Sequence, residues 1–340
     1  MASGSGLTSS GLTGFAFPNA KLDASISGNA LTVALIHSDG SSISTTSPIY
    51  AAFRTTAASG AAYEGRAITS VQPVTISAGS DMNTVNATPF RIHIGMFDDG
   101  GVYRLAAINC IQTGTSEFGI FPIDENSLLS ALAEGGAGGA DVPWTYYAGV
   151  AISSKPLRYV GALTWESGLT TAGNWDALPD TIQMYGIGGC KPGDILQWRD
   201  SFVSTLRIFT GTVPLDNTIP QPGEGQLHAT TRLTPSSKAN YIESEALINC
   251  SPNVADTAIV TIIQDSTGGA KSVGAQYIPA GVLGQISLRH RQIAGVTTNT
   301  VFTLLVGTAG GNTLTVNGVG GSALFGGALL SGLRTQERYA

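Results

Sequence analysis

Residues 90–107 read FRIHIGMF, then DDGG, then VYRLAA, and this stretch decides the fold class. Phe90, Ile92, Ile94 and Met96 alternate with Arg91, His93 and Gly95. That period of two places the apolar set on one face of a strand. Asp98, Asp99, Gly100 and Gly101 tolerate the backbone angles of a tight turn, so the chain is expected to reverse there and return as a second strand.

The same alternation recurs outward in both directions. Strands are expected at residues 31–36 (LTVALI), 158–165 (RYVGALTW), 204–212, 258–264 (AIVTIIQ), 285–292 (QISLRHRQ), 301–307 (VFTLLVG) and 314–316. Turn-forming stretches separate them: SDG at 38–40, STGG at 266–269 and TAGGN at 308–312. Many short strands at close spacing predict an all-β chain with two β-sandwich or jelly-roll-like domains in tandem. One segment, residues 125–134 (ENSLLSALAE), reads as a short helix.

Composition agrees. Charged residues make up 12% of the chain and glycines number 44 of 340, against about 25% and about 7% in ordinary soluble domains. Helical bundles need more Leu, Glu, Lys and Arg. Disorder is excluded by 42% apolar residues with a net charge of only −6. The 17 basic residues are scattered, so no nucleic-acid partner is expected. No run approaches the roughly 20 apolar residues of a membrane span, and no membrane insertion is expected. The first twelve residues, MASGSGLTSSGL, lack the basic start and apolar run of a secretory leader, which predicts synthesis in the cytoplasm.

Three domains are expected. Residues 1–28 read as a flexible attachment arm, its Gly/Ser stretch ending at Phe15, Phe17 and Pro18. Residues 29–189 form an N-terminal β-module. Residues 190–340 form a C-terminal β-domain, the junction marked by GIGGCKPG at 186–193.

No chemistry stands out. His37, His93, His228 and His290 read as exposed-face or satisfied histidines, and His93 and His290 lie within strand alternation. Asp98 and Asp99 are explained by turn formation. GGAGG at 135–139 lacks the Lys-Ser/Thr ending of a phosphate loop. The three cysteines have no metal-ligand spacing. No catalytic residue, metal or cofactor is expected, and the chain is not expected to be an enzyme. Cys110 and Cys250 follow apolar strands and are expected to be packed. Cys190, in the glycine-rich junction, is the candidate for a disulfide to another protein or a different position. Arg289 and Arg291 share a strand face and, with Tyr146, Tyr147 and Trp175, are candidate contacts for a glycan or a partner. The plainer readings are a solvated edge strand for the arginines and core packing for the aromatics.

The second half contains DNTIPQPGEG at 216–225, LTP at 233–235, QD at 264–265, LRHRQIAG at 288–295, TVNG at 315–318 and FGG at 325–327. In order and spacing these resemble a domain common at the C-termini of phage tail-fibre and other virion proteins, over about 130 residues. The first half resembles a module that often precedes it, through PIYAAFR at 48–54, FRI at 90–92, Tyr146 and Tyr147, PLRYVG at 156–161 and AGNW at 172–175. The resemblance implies a virion component, often trimeric, in a short fibre, collar, tail or capsid decoration. The arm would then bind other virion proteins. The alternative is a receptor-binding knob that reads a bacterial surface glycan. Asp216, Asn217, Pro220, Gln221, Glu224, Gly225, Asn317, Gly318, Phe325, Gly326 and Gly327 are the expected interface or structural motif. Pro220 cannot donate to a ladder, so PQPGEG must be loop or edge. Asn317-Gly318 reads as a turn. Gly320, Gly321, Gly326 and Gly327 are expected to let backbones pass closely around Phe325.

Overall fold

The computed structural model describes residues 17, 19–54, 63–110, 125, 127–134, 141–185, 191–266 and 268–340. Of these, 56% are strand. No described residue is α-helical, and Phe325–Gly327 is a 3-10 turn. The chain is all-β, and it divides into two compact units after Asp194.

The first unit contains β1 (Ala20–Ser27), β2 (Ala30–His37), β3 (Ile49–Arg54), β4 (Tyr63–Ile68), β5 (Val71–Gln72), β6 (Val74–Ile76), β7 (Phe90–Asp99), β8 (Val102–Asn109), β9 (Leu128–Ala133), β10 (Tyr146–Ala148), β11 (Ile152–Trp165) and β12 (Thr181–Met184). The β7–β8 hairpin forms as the alternation predicts. Asp99 pairs with Val102, and the two linking residues, Gly100 and Gly101, both have positive φ. Each strand face of the hairpin then has its own core. Phe90, Ile92, Ile94 and Met96 pack with Leu105, Leu163 and Trp165 against the three-stranded sheet β1-β2-β6. The opposite face closes on itself. β10 pairs with both β9 and β8, so β8, β7, β11, β9 and β10 form a ring. Phe97, Ala106, Ile108, Leu157, Tyr159 and Tyr146 fill it. A ring that small has no room at Gly95, where a Cβ would stand 2.6 Å from Leu157 Cδ1.

Two expectations fail in this unit. Residues 128–133 are strand β9, not helix; helix propensity is a weak preference, and closing the ring between β11 and β10 overrides it. Residues 20–27 do not belong to a flexible arm. They form β1, paired with β2 through the positive-φ turn Gly28-Asn29, and Phe17 is buried in the same core. Residues 1–16 and 18 lie outside the described residues.

The second unit contains β13 (Ile195–Val203), β14 (Arg207–Phe209), β15 (Gln226–Leu233), β16 (Tyr241–Pro252), β17 (Asp256–Gln264), β18 (Ser272–Ile278), β19 (Gly284–Ile293), β20 (Thr300–Thr308), β21 (Leu314–Val316), β22 (Gly318–Val319), β23 (Ser322–Ala323) and β24 (Ser331–Arg338). It is a two-sheet sandwich. One sheet has the order β13-β24-β16-β21-β14, with β19 on the other edge of β16; the second has the order β15-β20-β17-β18. Ile242, Ala246, Ile248, Ile286, Leu288 and Leu333 from the first sheet meet Val260, Ile262, Phe302, Leu304 and Val306 from the second. The core therefore takes the even residues of β16 and β19. Their odd residues emerge on the outer face of the larger sheet.

Candidate functional site

That outer face gathers a cluster of the second unit's charged side chains. β16 contributes Tyr241, Glu243 and Glu245. Register places Glu243 opposite Arg291 of β19 and Gln336 of β24, and Glu245 opposite Arg289 and Arg334. Asp200 of β13 lies opposite Arg334 on its other side. Trp198 and Phe202 flank Asp200 on the same face, two residues away in each direction.

Glu243 is the centre. Its side chain is 1% exposed. One carboxylate oxygen accepts from Arg291 Nε at 2.9 Å and from Arg289 Nη2 at 3.4 Å; the other accepts from Arg338 Nε at 2.7 Å and Gln336 Nε2 at 2.8 Å. Burial alone would push this carboxyl up. The Gln336 hydrogen bond and the charges of Arg291 and Arg338 outweigh it and hold the pKa below its ordinary value. Arg291 also lies over the Tyr241 ring, 4.8 Å from its centre. Arg334 forks onto Asp200 at 2.7 and 3.1 Å. Four guanidiniums thus share three carboxylates on one face of an acidic protein.

Beside this network is an open groove of about 490 Å³ lined by Phe202, Glu245, Leu247, Ser287, Arg289 and Arg334, among others. Gly332 pairs with Phe202 on one side and Leu247 on the other. A Cβ there would collide with Ser201 O, so the glycine lets β13 pass close against β24.

Arg289 and Arg291 share a face, as their spacing predicts. The aromatic candidates are elsewhere and buried. Trp175 is in the first unit's core, edge-on to Phe90 and Trp165, with its Nε1 donating to Ser80 O at 2.8 Å. Tyr146 lies edge-on to Phe97 inside the ring, and Tyr147 Oη accepts from Val142 N at 2.9 Å. None offers a ring face to a sugar. Trp198, on β13, is half exposed. Its alternation with Asp200 and Phe202 was the available signal, but only register with β24 shows which face it joins.

The 216–225 motif is a self-braced surface loop. Thr218 donates from N and Oγ1 to Asp216 Oδ1 at 2.7 and 2.6 Å, which holds that carboxyl below its ordinary value. Asn217 is exposed beside it. Pro220 O accepts from Ala270 N, Gln221 N donates to Glu224 Oε2, and Gly225 N donates to Thr212 O. Asn317 is no hairpin turn. It is fully buried at positive φ, its amide donating to the carbonyls of Val203 and Thr205 and its oxygen accepting from Ser331 Oγ. Gly318 closely approaches Ser322 O, and the two-residue turn falls at Gly320-Gly321. Gly326 and Gly327 are needed for positive φ, not for close passage: a Cβ at either would meet nothing within 4 Å. Phe325 is 72% exposed.

The remaining chemical candidates are quiet. His93 is buried in the ring with Nδ1 3.0 Å from Tyr159 Oη, and burial pushes its pKa well down. His37 Nε2 lies 3.1 Å from Ser47 Oγ, but also 2.9 Å from Ser47 O. A carbonyl only accepts, so Nε2 donates to Ser47 O and is not a base for the hydroxyl; Nδ1 faces a second carbonyl, Asn19 O, at 3.3 Å. Asp98 faces Arg66, and Asp99 faces Arg104 and Lys155. Among the described residues no three His, Cys, Asp or Glu side chains are placed to hold a metal. Cys190 lies outside the described residues. Cys110 and Cys250 are buried free thiols; burial pushes both up, Cys250 to about 12. A disulfide reagent at pH 8 is therefore expected to leave both unmodified in the native protein. A fast phase that disappears in Cys110→Ser or Cys250→Ser would contradict this.

No family model matches the chain, and no curated protein matches it in sequence. Among solved structures, the C-terminal domain of EclA, a sugar-binding protein, overlaps 43% of this chain and 88% of its own at 14% identity and a TM-score of 0.21. The infectious bursal disease virus VP2 subviral particle overlaps 96% and 80% at 11% identity and 0.23. A Bacillus thuringiensis Cry1Da tryptic core variant overlaps 95% and 52% at 10% identity and 0.21. Overlaps this loose assign neither fold nor function.

Proposed function

We propose that the chain is a non-catalytic structural component of a bacteriophage virion, part of a short fibre, collar, tail or capsid decoration, and that it assembles as a homotrimer through its second unit. One observation carries this beyond the resemblance of the sequence. Among the described residues, ten large apolar side chains are more than half exposed. Eight belong to the second unit: Ile195, Ile208, Leu215, Ile219, Leu227, Tyr277, Phe325 and Leu330. Apolar surface of this kind supports an oligomer, which would bury it. The arm, residues 1–16, would attach the assembly to other virion proteins. The purified full chain is expected to scatter light as three chains, and Phe325→Ser to shift it toward monomer. A wild-type monomer at micromolar concentration rules out the trimer. Purified particles that carry no copy of the chain rule out the virion role.

The receptor-binding knob is the second reading. It is favoured by the outer face of the second unit, where Trp198 and Phe202 lie beside four arginines and an open groove. An aromatic plane beside hydrogen-bond donors is what a sugar ring requires.

A further inference from the structure

We infer that the groove between β13, β16 and β19 binds one residue of an acidic saccharide, its carboxylate on Arg289 and its ring against Phe202; this rests on the knob reading. The four guanidiniums of the face are not equivalent. Arg291 and Arg338 hold Glu243 at 2.9 and 2.7 Å, and Arg334 is forked onto Asp200. Their donors are committed. Arg289 reaches Glu243 and Glu245 only at 3.4 Å each and is the most exposed of the four, at 63%. Glu243 keeps Arg291, Arg338 and Gln336 if Arg289 turns away, so its release strands no buried charge.

Of the other three, Arg334 alone also lines the groove. Phe202 and Leu247 supply apolar walls and Ser287 a hydroxyl. A planar guanidinium with free donors takes a carboxylate by two parallel hydrogen bonds. The apolar walls suit the C–H face of a pyranose. The rim carboxylate Glu245, 46% exposed, is left to bond ring hydroxyls. A neutral sugar would bring Arg289 no anion in exchange for its long contacts to Glu243 and Glu245, and a bare anion would leave Phe202 uncovered. The combination selects an acidic sugar over either.

The test titrates the full chain with oligogalacturonate and with a neutral galactose oligomer of equal length. Binding is expected for the acidic oligomer only, weakening as salt is raised. Arg289→Gln should lower its affinity about tenfold, the worth of one charged hydrogen-bonded contact. Ser287→Trp, which fills the groove from an exposed position, should abolish binding without unfolding the protein. Equal binding of the neutral oligomer, no binding of the acidic one, or wild-type affinity in both folded variants overturns the inference. Incorporation into particles is scored in parallel. Both variants are expected to incorporate normally, which separates failure of the groove from failure of the virion role.

Discussion

Glu243→Leu is expected to destabilise the second unit by roughly 2–3 kcal/mol, read as faster hydrogen exchange across β16, β19 and β24. Breaking a buried ion pair from one side typically costs ~3–5 kcal/mol, because the partner is left desolvated without its counter-charge. Here the abandoned partners are three arginines that are 26–63% exposed. Water screens them in part, and the cost falls accordingly. The variant should also change the response to acid. Glu243 titrates below its ordinary value of 4.5 in the folded chain. A carboxyl with a depressed folded pKa stabilises the fold above its unfolded value and loses that contribution as pH falls through the folded one. The wild type therefore weakens below about pH 4.5, and Glu243→Leu should show a shallower decline there. An unchanged acid slope would mean that the network contributes no linked stability.

Trp175→Ala is expected to cost about 3–5 kcal/mol in the first unit, the range for deleting a fully enclosed aromatic. The side chain is 0% exposed, fits edge-on against Phe90 and Trp165, and satisfies Ser80 O through its indole nitrogen. Removing it opens a cavity and strands a buried carbonyl together. Urea titration should show the first unit melting early while the second is unaffected. Trp198→Ala, at a half-exposed strand position, should change stability by no more than about 0.5 kcal/mol. If the two variants behaved alike, the division between core and surface tryptophans would be wrong.

The contrast between these tryptophans shows what was legible in the sequence. Alternation at residues 90–97 and 285–292 identified strands and their faces correctly, because a strand's period is local and Phe90, Ile92, Ile286 and Leu288 obey it. It also lay open in AKLDASIS, residues 20–27, where Ala20 and Leu22 are buried and Lys21 and Asp23 are not. The Gly/Ser-rich residues before it disguised that strand as part of an arm. Residues 128–133 were misread because LLSALA suits a helix as well as a strand, and the choice was made by β10 and β11. The Glu243 cluster was beyond local reading altogether. Gln336 and Arg338 reach it from 93 and 95 residues away, and no pattern within one strand records which strand will lie beside it.

The pairing of β13 with β24 has a consequence for synthesis on the ribosome. Asp200 and Arg334 are 134 residues apart, and β24 separates β13 from β16 in the finished sheet. At translation speeds of roughly 5–20 residues per second, β13 waits on the order of ten seconds for its neighbour. Hairpins such as β17–β18 can form meanwhile, but β13 has no strand to pair with until β24 emerges. A chain interrupted before β24 would carry an open second unit and would also lack Ala340, whose carbonyl accepts from buried Arg91 Nη1 at 2.9 Å. The larger sheet of the second unit therefore closes only once β24 has been made.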